Sequence, residues 1–402
     1  MHAFAAETTE STGDARSPRS GERALLILAT LPALQREDGR WLLPAKLVTG
    51  VQAYVGSWPG PVILGLQPGK RPSADLDNAY WDPATLRFQV QRHSFRELVE
   101  RGHPVLENAM VLTVLHHELY GLAQRCRQSN AVLVVNTELT LRTQLQIARN
   151  SRPPGPRLAR TLLWLLLNHR RALREIAQAH GLQCNGTPTF DAFARRSRHP
   201  LLYFDNRTTA DMLASEQDLN VRFEHQAAHQ RVRLLFSGRL HPIKGAHHLV
   251  PMADHLQRMG VDFELSIAGD GPLRSEIEAQ IRSRGLQDRV RCLGTLRFGD
   301  ELMPLLRRSI DIFVCPHLQG DPSCSYMETL SGGVPIVGYD NEAWSGLWRR
   351  CEAGVLCEQH QPTSLAEAVA ALAREPARQQ RLARKALAFA SQHLFEKDFG
   401  LR

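Results

Sequence analysis

From Val232 onward, short apolar runs alternate with helical patterns in a way that a parallel, doubly wound sheet accommodates. The spacing predicts strands at 234–237, 263–268, 290–293, 310–314 and 335–337, separated by helices at 246–259, 273–284, 301–308 and 326–330. Ser364 and Glu367 form a capping-box pattern for a helix at 365–373, and 378–393 reads as a last amphipathic helix. The first half repeats the alternation less cleanly, with strands expected at 24–29, 62–66, 131–135 and 201–204 and helices at 45–55 and 105–126. A helix at 157–180 ends at Gly181, before a short segment at 182–184. Residues 220–231 show no clear period, which places a boundary there. The fold class is therefore α/β with two Rossmann-like domains. The expected divisions are a disordered leader at 1–23, a first domain at 24–222, a second at 223–380 and a closing helix at 381–402.

With 402 residues the chain is long enough for two domains, and 43% apolar with 22% charged residues is a globular composition. The longest apolar run, Leu162 to Leu167, is too short to cross a bilayer. Seven scattered cysteines without a CxxC pair argue against a disulfide framework or a zinc site, and so for a reducing compartment. A formal net charge of +8 implies an anionic partner. No aromatic stacking motif or zinc finger accompanies it, so nucleic acid is not expected.

Two features of the second half suit a phosphate. Gly238-Arg239-Leu240 and Lys244-Gly245 set two cations on a strand-to-helix turn at the carboxyl edge of the sheet, where open α/β sheets bind ligands. Asp321 to Val337 reads as small-residue loop, short helix, Gly stop and buried strand, and that helix start offers backbone N–H groups to an anion. Arg239 and Lys244 would neutralise charge on a departing diphosphate. Glu328, one turn into the helix, would accept hydrogen bonds from ribose, while Ser323, Cys324 and Ser325 would offer amides and hydroxyls. Gly269-Asp270-Gly271 is either a tight turn or a wall of the same pocket, and Leu293 either meets a base or belongs to the core.

Other candidates weigh less. Asp75-Leu76-Asp77 resembles a metal-binding Asp-x-Asp but falls in a Pro- and Asp-rich loop, and His116-His117-Glu118 falls in a helical pattern that points adjacent histidines apart. No catalytic metal is expected. Arg157, Arg160, Arg170, Arg171 and Arg174 beside the leucine run could rest on an anionic membrane, or form the solvated face of an ordinary domain helix.

Taken together, Gly238-Arg239-Leu240 with Lys244-Gly245, Ala268 to Leu273, Val290 to Gly294 and Glu328 to Val337 resemble the donor-binding domain of the GT-B glycosyltransferases, in particular the retaining family 4 group. The resemblance covers roughly 232–358. It implies a GT-B fold, two domains facing across a cleft, and a nucleotide-diphosphate sugar, UDP- or GDP-linked, as donor substrate with no other cofactor. It implies that Arg239 and Lys244 hold the diphosphate and that Glu328 is the second Glu of the family's E-x7-E motif. Gly320 stands where the first Glu would be, with Asp321 next to it. The implied function is transfer of a sugar, with retention, to a hydroxyl of a glycan or lipid-linked glycan, in surface or exopolysaccharide synthesis, by a cytoplasmic protein with possible peripheral membrane contact. A catalytically silent sugar-nucleotide binder and a GT-B epimerase are the alternatives. On the acceptor side, Asn136 and Glu138 end a predicted strand, the loop at 32–43 could meet the acceptor, and Asn185 to Pro188 begins a helix.

Overall fold

Runs rich in Leu, Ile and Val form the central strands because each is buried on both faces of its sheet. The structure, a computed structural model, describes residues 23–69, 78–229 and 231–402. The expected leader up to residue 22 and the Asp75-Leu76-Asp77 motif lie outside the described residues. The chain forms two compact units, one of residues up to Val114 with Gly121–Leu133, the other of Leu115–Tyr120 with Val134–Arg402.

In the first unit, strands β1 (Leu25–Gln35), β2 (Trp41–Pro44), β3 (Val62–Pro68), β4 (Asn78–Trp81), β5 (Gln89–Arg92) and β6 (Met110–Val114) follow one another. β1 runs parallel to β3 and β6, and β3 parallel to β5. β2 pairs antiparallel with both β1 and β4. Two expectations need correction here. The segment 32–43 is a hairpin, with Leu34 opposite Leu42 and Gln35 opposite Trp41. The helix expected over 105–126 is instead β6, a short turn at His117–Leu119 and a helix at Leu122–Gln128. Left-handed Asn108 (φ 51°) and Gly121 (φ 108°) interrupt any continuous helix, and Val111, Thr113 and Val114 suit the pairing with β1 better.

In the second unit, β7 (Val132–Thr137), which belongs to this unit from Val134 onward, β8 (Gly181–Asn185) and β9 (Pro200–Tyr203) pair in parallel. β10 (Val232–Ser237), β11 (Phe263–Ala268), β12 (Val290–Gly294), β13 (Ile312–Cys315), β14 (Ile336–Tyr339) and β15 (Gly354–Cys357) form a six-stranded parallel sheet in the order β12-β11-β10-β13-β14-β15. That order reverses between β10 and β13, leaving a crevice at their carboxyl ends. Leu234, Phe236, Leu265 and Ile267 face one core, Leu235 and Phe313 the other.

Three local readings differ from the structure. Residues 220–228 are not irregular: they complete a helix at Glu216–Ala228, started by a capping box of Ser215 and Asp218. Its Arg222 is buried and donates to the carbonyls of Leu306, Gly332 and Gly333; burial lowers its pKa to about 10. The helix expected from Leu365 starts at Pro362, whose fixed φ suits a first turn, and Ser364 Oγ instead accepts from the amide of Glu358. A helix at Glu342–Cys351 and strand β15 lie beyond the predicted elements. The closing helix expected over 381–402 is two helices, Pro376–Ala390 and Phe395–Leu401; the second ends beside β8, where Gln183 Nε2 donates to the Arg402 carbonyl, and its Asp398 accepts from the amide of Phe204.

Candidate functional site

The crevice between β10 and β13 is built by loops whose backbones touch. Gly245 is left-handed (φ 64°), and a Cβ there would stand 1.8 Å from the Pro316 carbonyl oxygen. Gly269 (φ 132°) would put a Cβ 1.9 Å from the Gly238 oxygen. Glycine at these places is a steric requirement, because the loops after β10, β11 and β13 could not otherwise lie this close. The amide of Gly269 also donates to the Gly294 oxygen at 2.7 Å, so the ends of β10, β11 and β12 are hydrogen-bonded side by side. Gly271 packs against the Leu240 backbone. Leu293 sits on the edge strand β12 with its side chain exposed, not in the core.

Lys244 is buried at the turn after β10, and its Nζ lies 3.2 Å from Asp321 Oδ2 in the loop after β13. A buried ammonium requires such a counterion. Asp321 Oδ1 is buried without a hydrogen-bond partner, as are both ring nitrogens of His317. Burial, then the Lys244 charge, holds His317 well below the usual imidazole pKa, so the ring is neutral. Arg239, by contrast, is exposed at the end of the same β10 loop.

The helix expected at 326–330 spans Cys324–Ser331. Ser323 precedes it but caps none of its amides, since its hydroxyl bonds that of Ser325 at 2.8 Å. Glu328 is buried on this helix and accepts from Arg207 Nη2 at 3.0 Å, while the Arg207 guanidinium lies 4.1 Å over the Phe298 ring. Sequence reading missed Arg207, which carries no motif and lies 121 positions away. A small open pocket adjoins the helix start, lined by Asn185, Gly186, Phe204, Pro322, Ser323 and Cys324 among others; neither Arg239 nor Lys244 lines it. Asn185 stands at the N-cap position of the helix Gly186–Phe193 but caps none of its amides, its Oδ1 accepting from the amide of Asp205 at 3.0 Å.

At Gly320 a Cβ would stand 3.0 Å from the Cβ and 3.2 Å from Oε2 of Glu342. The carboxylate absent from position 320 is thus matched by one reaching in from the helix Glu342–Cys351. Glu342 Oε2 accepts from Thr140 Oγ1 at 3.1 Å and Thr143 Oγ1 at 3.3 Å, and Arg142 Nη1 lies 3.8 Å from Oε1. No local pattern could have announced it. Of the residues expected on the acceptor side, Asn136 lies on β7 one residue before its end and exchanges hydrogen bonds with the Tyr203 hydroxyl (2.9 and 3.1 Å), and Glu138 is exposed just beyond the strand.

Among the described residues no group of three His, Cys, Asp or Glu side chains is placed to hold a metal ion. His116 and His117 are not on a helix, as expected, but at a short turn with rings 4.2 Å apart, and His116 Nδ1 lies 3.5 Å from Glu118. None of the seven cysteines is joined in a disulfide.

A parallel α/β sheet reversed at β10 and β13, with glycine-bound loops over the crevice, is a Rossmann-like arrangement, and the chain shares the GT-B fold of its structural neighbours. Residues 218–389, under half of the chain, match the family model described as Glycosyl transferases group 1. The α-D-kanosaminyltransferase of Streptomyces kanamyceticus is 28% identical over 190 residues, 47% of this chain and 48% of that protein. The putative glycosyltransferase EpsF of Bacillus subtilis is 37% identical over 103 residues, 26% of each. This chain therefore matches about half of the first relative's length and a quarter of the second's. Among solved structures, Anabaena HepE in complex with UDP has a TM-score of 0.61 at 15% identity, covering 92% of this chain and 95% of that one. Sucrose-phosphate synthase from Thermosynechococcus elongatus gives 0.60 at 15%, covering 94% and 96%. These two likenesses concern the fold.

Proposed function

We propose that the protein is a retaining family 4 glycosyltransferase. It moves a sugar from a UDP- or GDP-sugar to a hydroxyl of a glycan or lipid-linked glycan, in surface or exopolysaccharide synthesis at the cytoplasmic face of a membrane. The observation that carries this reading is the meeting of the Lys244 turn and the Asp321 loop over the switch point, beside a helix start whose N-cap residue Ser323 makes no side-chain cap. HepE was solved with UDP and with UDP-glucose, and the curated relatives are named for sugar transfer; both support the same reading.

Residues 24–222 serve the acceptor and 223–380 the donor. Lys244 and Arg239 balance the charge that develops on the leaving diphosphate. Gly238, Gly269 and Gly271 let backbone approach the nucleotide, and Ser323, Cys324 and Ser325 meet its phosphates. Glu328, oriented by Arg207, accepts from ribose, and Leu293 covers the base. Asn136 and Glu138 face the acceptor. The departing phosphate takes the acceptor proton on the same face of the sugar, which retains the anomeric configuration without a separate protein base.

A thermal-shift screen against UDP, GDP and their sugars tests this, because a ligand that binds only the folded state raises the melting temperature with its affinity. No shift with any of them would refute the reading. A second reading, a silent sugar-nucleotide binder, is favoured by Gly320 at the first Glu position and by a Lys244 already neutralised by Asp321. It requires binding without turnover on any acceptor.

A further inference from the structure

The helix Pro156–Gln178 buries Ala172, Glu175 and Ile176 in its last turns. Its first sixteen residues contain no acid. Leu163, Trp164, Leu166 and Leu167 are 57%, 44%, 49% and 61% exposed, half of the eight exposed large apolar side chains among the described residues. On a helix, Arg160, Leu163, Leu167, Arg170 and Arg174 follow at spacings of three and four and so share one stripe. Two leucines form the middle of that stripe and arginines both ends, with Trp164 and Arg171 alongside. The ordinary expectation for a domain helix, apolar side inward and basic side in water, does not describe this face.

We infer that this face docks on an anionic lipid bilayer, the helix lying in the interface with Leu163, Trp164, Leu166 and Leu167 in the acyl boundary and the arginines on lipid phosphates. A water-exposed leucine cluster gains by entering a low-dielectric layer, and arginines flanking it on the same face gain only if that layer is negative. Charge complementarity selects the bilayer over a second copy of the chain, because apposing two such faces would bring like charges together. The helix does not cross the membrane: no described helix is long and apolar enough to do so. This inference stands apart from glycosyl transfer, since vesicle binding needs no nucleotide.

The test uses the full chain with vesicles of phosphatidylcholine alone and of phosphatidylcholine with about one third phosphatidylglycerol. Co-sedimentation with the mixed vesicles, weakened by salt and lost in Leu163→Glu/Leu167→Glu at an unchanged melting temperature, is the expected result. Each of Arg160→Gln, Arg170→Gln and Arg174→Gln should weaken binding about fivefold. Equal binding to neutral vesicles, no binding to either, or equal binding by the leucine variant would overturn the inference. So would a dimer in solution that the leucine variant dissociates, which would assign the face to a second copy. A UDP-induced melting shift, read on the same samples, reports on the glycosyltransferase reading separately.

Discussion

At the switch point two buried charges are each paired, Lys244 with the half-buried Asp321 and Glu328 with the exposed Arg207, whereas on the Pro156–Gln178 helix leucines stand in water with arginines at both ends of their stripe. Buried charges need partners within hydrogen-bond reach, and a small ligand of high charge can exchange with one of those partners. Exposed leucines need no partner for folding, but they call for a broad surface to cover them. On the readings proposed above, the first region serves a compact anion and the second an extended one.

The largest effect should come from Lys244→Ala or Arg239→Ala. If both act on the leaving diphosphate, turnover measured with the donor that shifts the melting curve falls by a factor of ~100 or more. Undiminished turnover in both variants would remove the compact-anion half of the comparison. Glu328→Gln should come next. Losing a charged acceptor for ribose should weaken UDP or GDP binding by about tenfold to a hundredfold in calorimetry, as hydrogen bonds to charged groups contribute ~1.5–3 kcal/mol. Arg207→Ala should cost less, because its side chain is 54% exposed.

Gly320→Ala sharpens the picture of the loop itself. A methyl pressed against Glu342 should destabilise the fold by ~1–3 kcal/mol, and Glu342→Gly in the same chain, which removes the opposing Cβ as well as the carboxylate, should make the double change cost less in thermal unfolding than the sum of the two single ones. Independent costs for the two changes would mean that the contact is incidental. Asp321→Asn should tighten nucleotide diphosphate binding a few-fold, since it leaves Lys244 to the ligand; weaker binding would instead show that Asp321 holds the ammonium in its working position.

The smallest effect concerns pH. Burial, with His247 and His360 nearby, lowers the His248 pKa to about 4, and its Nδ1 lies 2.7 Å from the Tyr339 hydroxyl. The unfolded chain binds this proton more readily than the folded one, so the contribution is complete above the ordinary imidazole pKa of about 6.5 and is lost as pH falls toward 4. His317 acts in the same direction. Melting temperature should therefore drop across that window, and His248→Asn should flatten the slope; an unchanged slope would count against a buried neutral ring.

Much of the six-stranded sheet was legible because its strands are continuous apolar runs and its helices have a clean period. Strand 263–268 was read to the residue. Strand β6 was read as helix because a short apolar run carries no period that separates the two. The helix at Glu216–Ala228 escaped notice because its pattern is polar nearly all round and the side chain that ties it down is a buried arginine. In the candidate site, Lys244 and Glu328 could be picked out by their spacing from Gly and from strand ends. Their partners could not, since Asp321 and Arg207 are 77 and 121 positions away.

The sequence by itself determined the alternation of strand and helix, the parallel sheet and the loops at which candidate phosphate-binding side chains had to be sought, because these follow from periodicity and from glycine over a few residues. Tertiary structure decided that Glu342 fills the space beside Gly320, that Asp321 neutralises Lys244 and that the leucines of Pro156–Gln178 face outward. Such contacts join residues far apart along the chain. Packing, which sums over the whole fold, settles them, and local propensity carries no record of it.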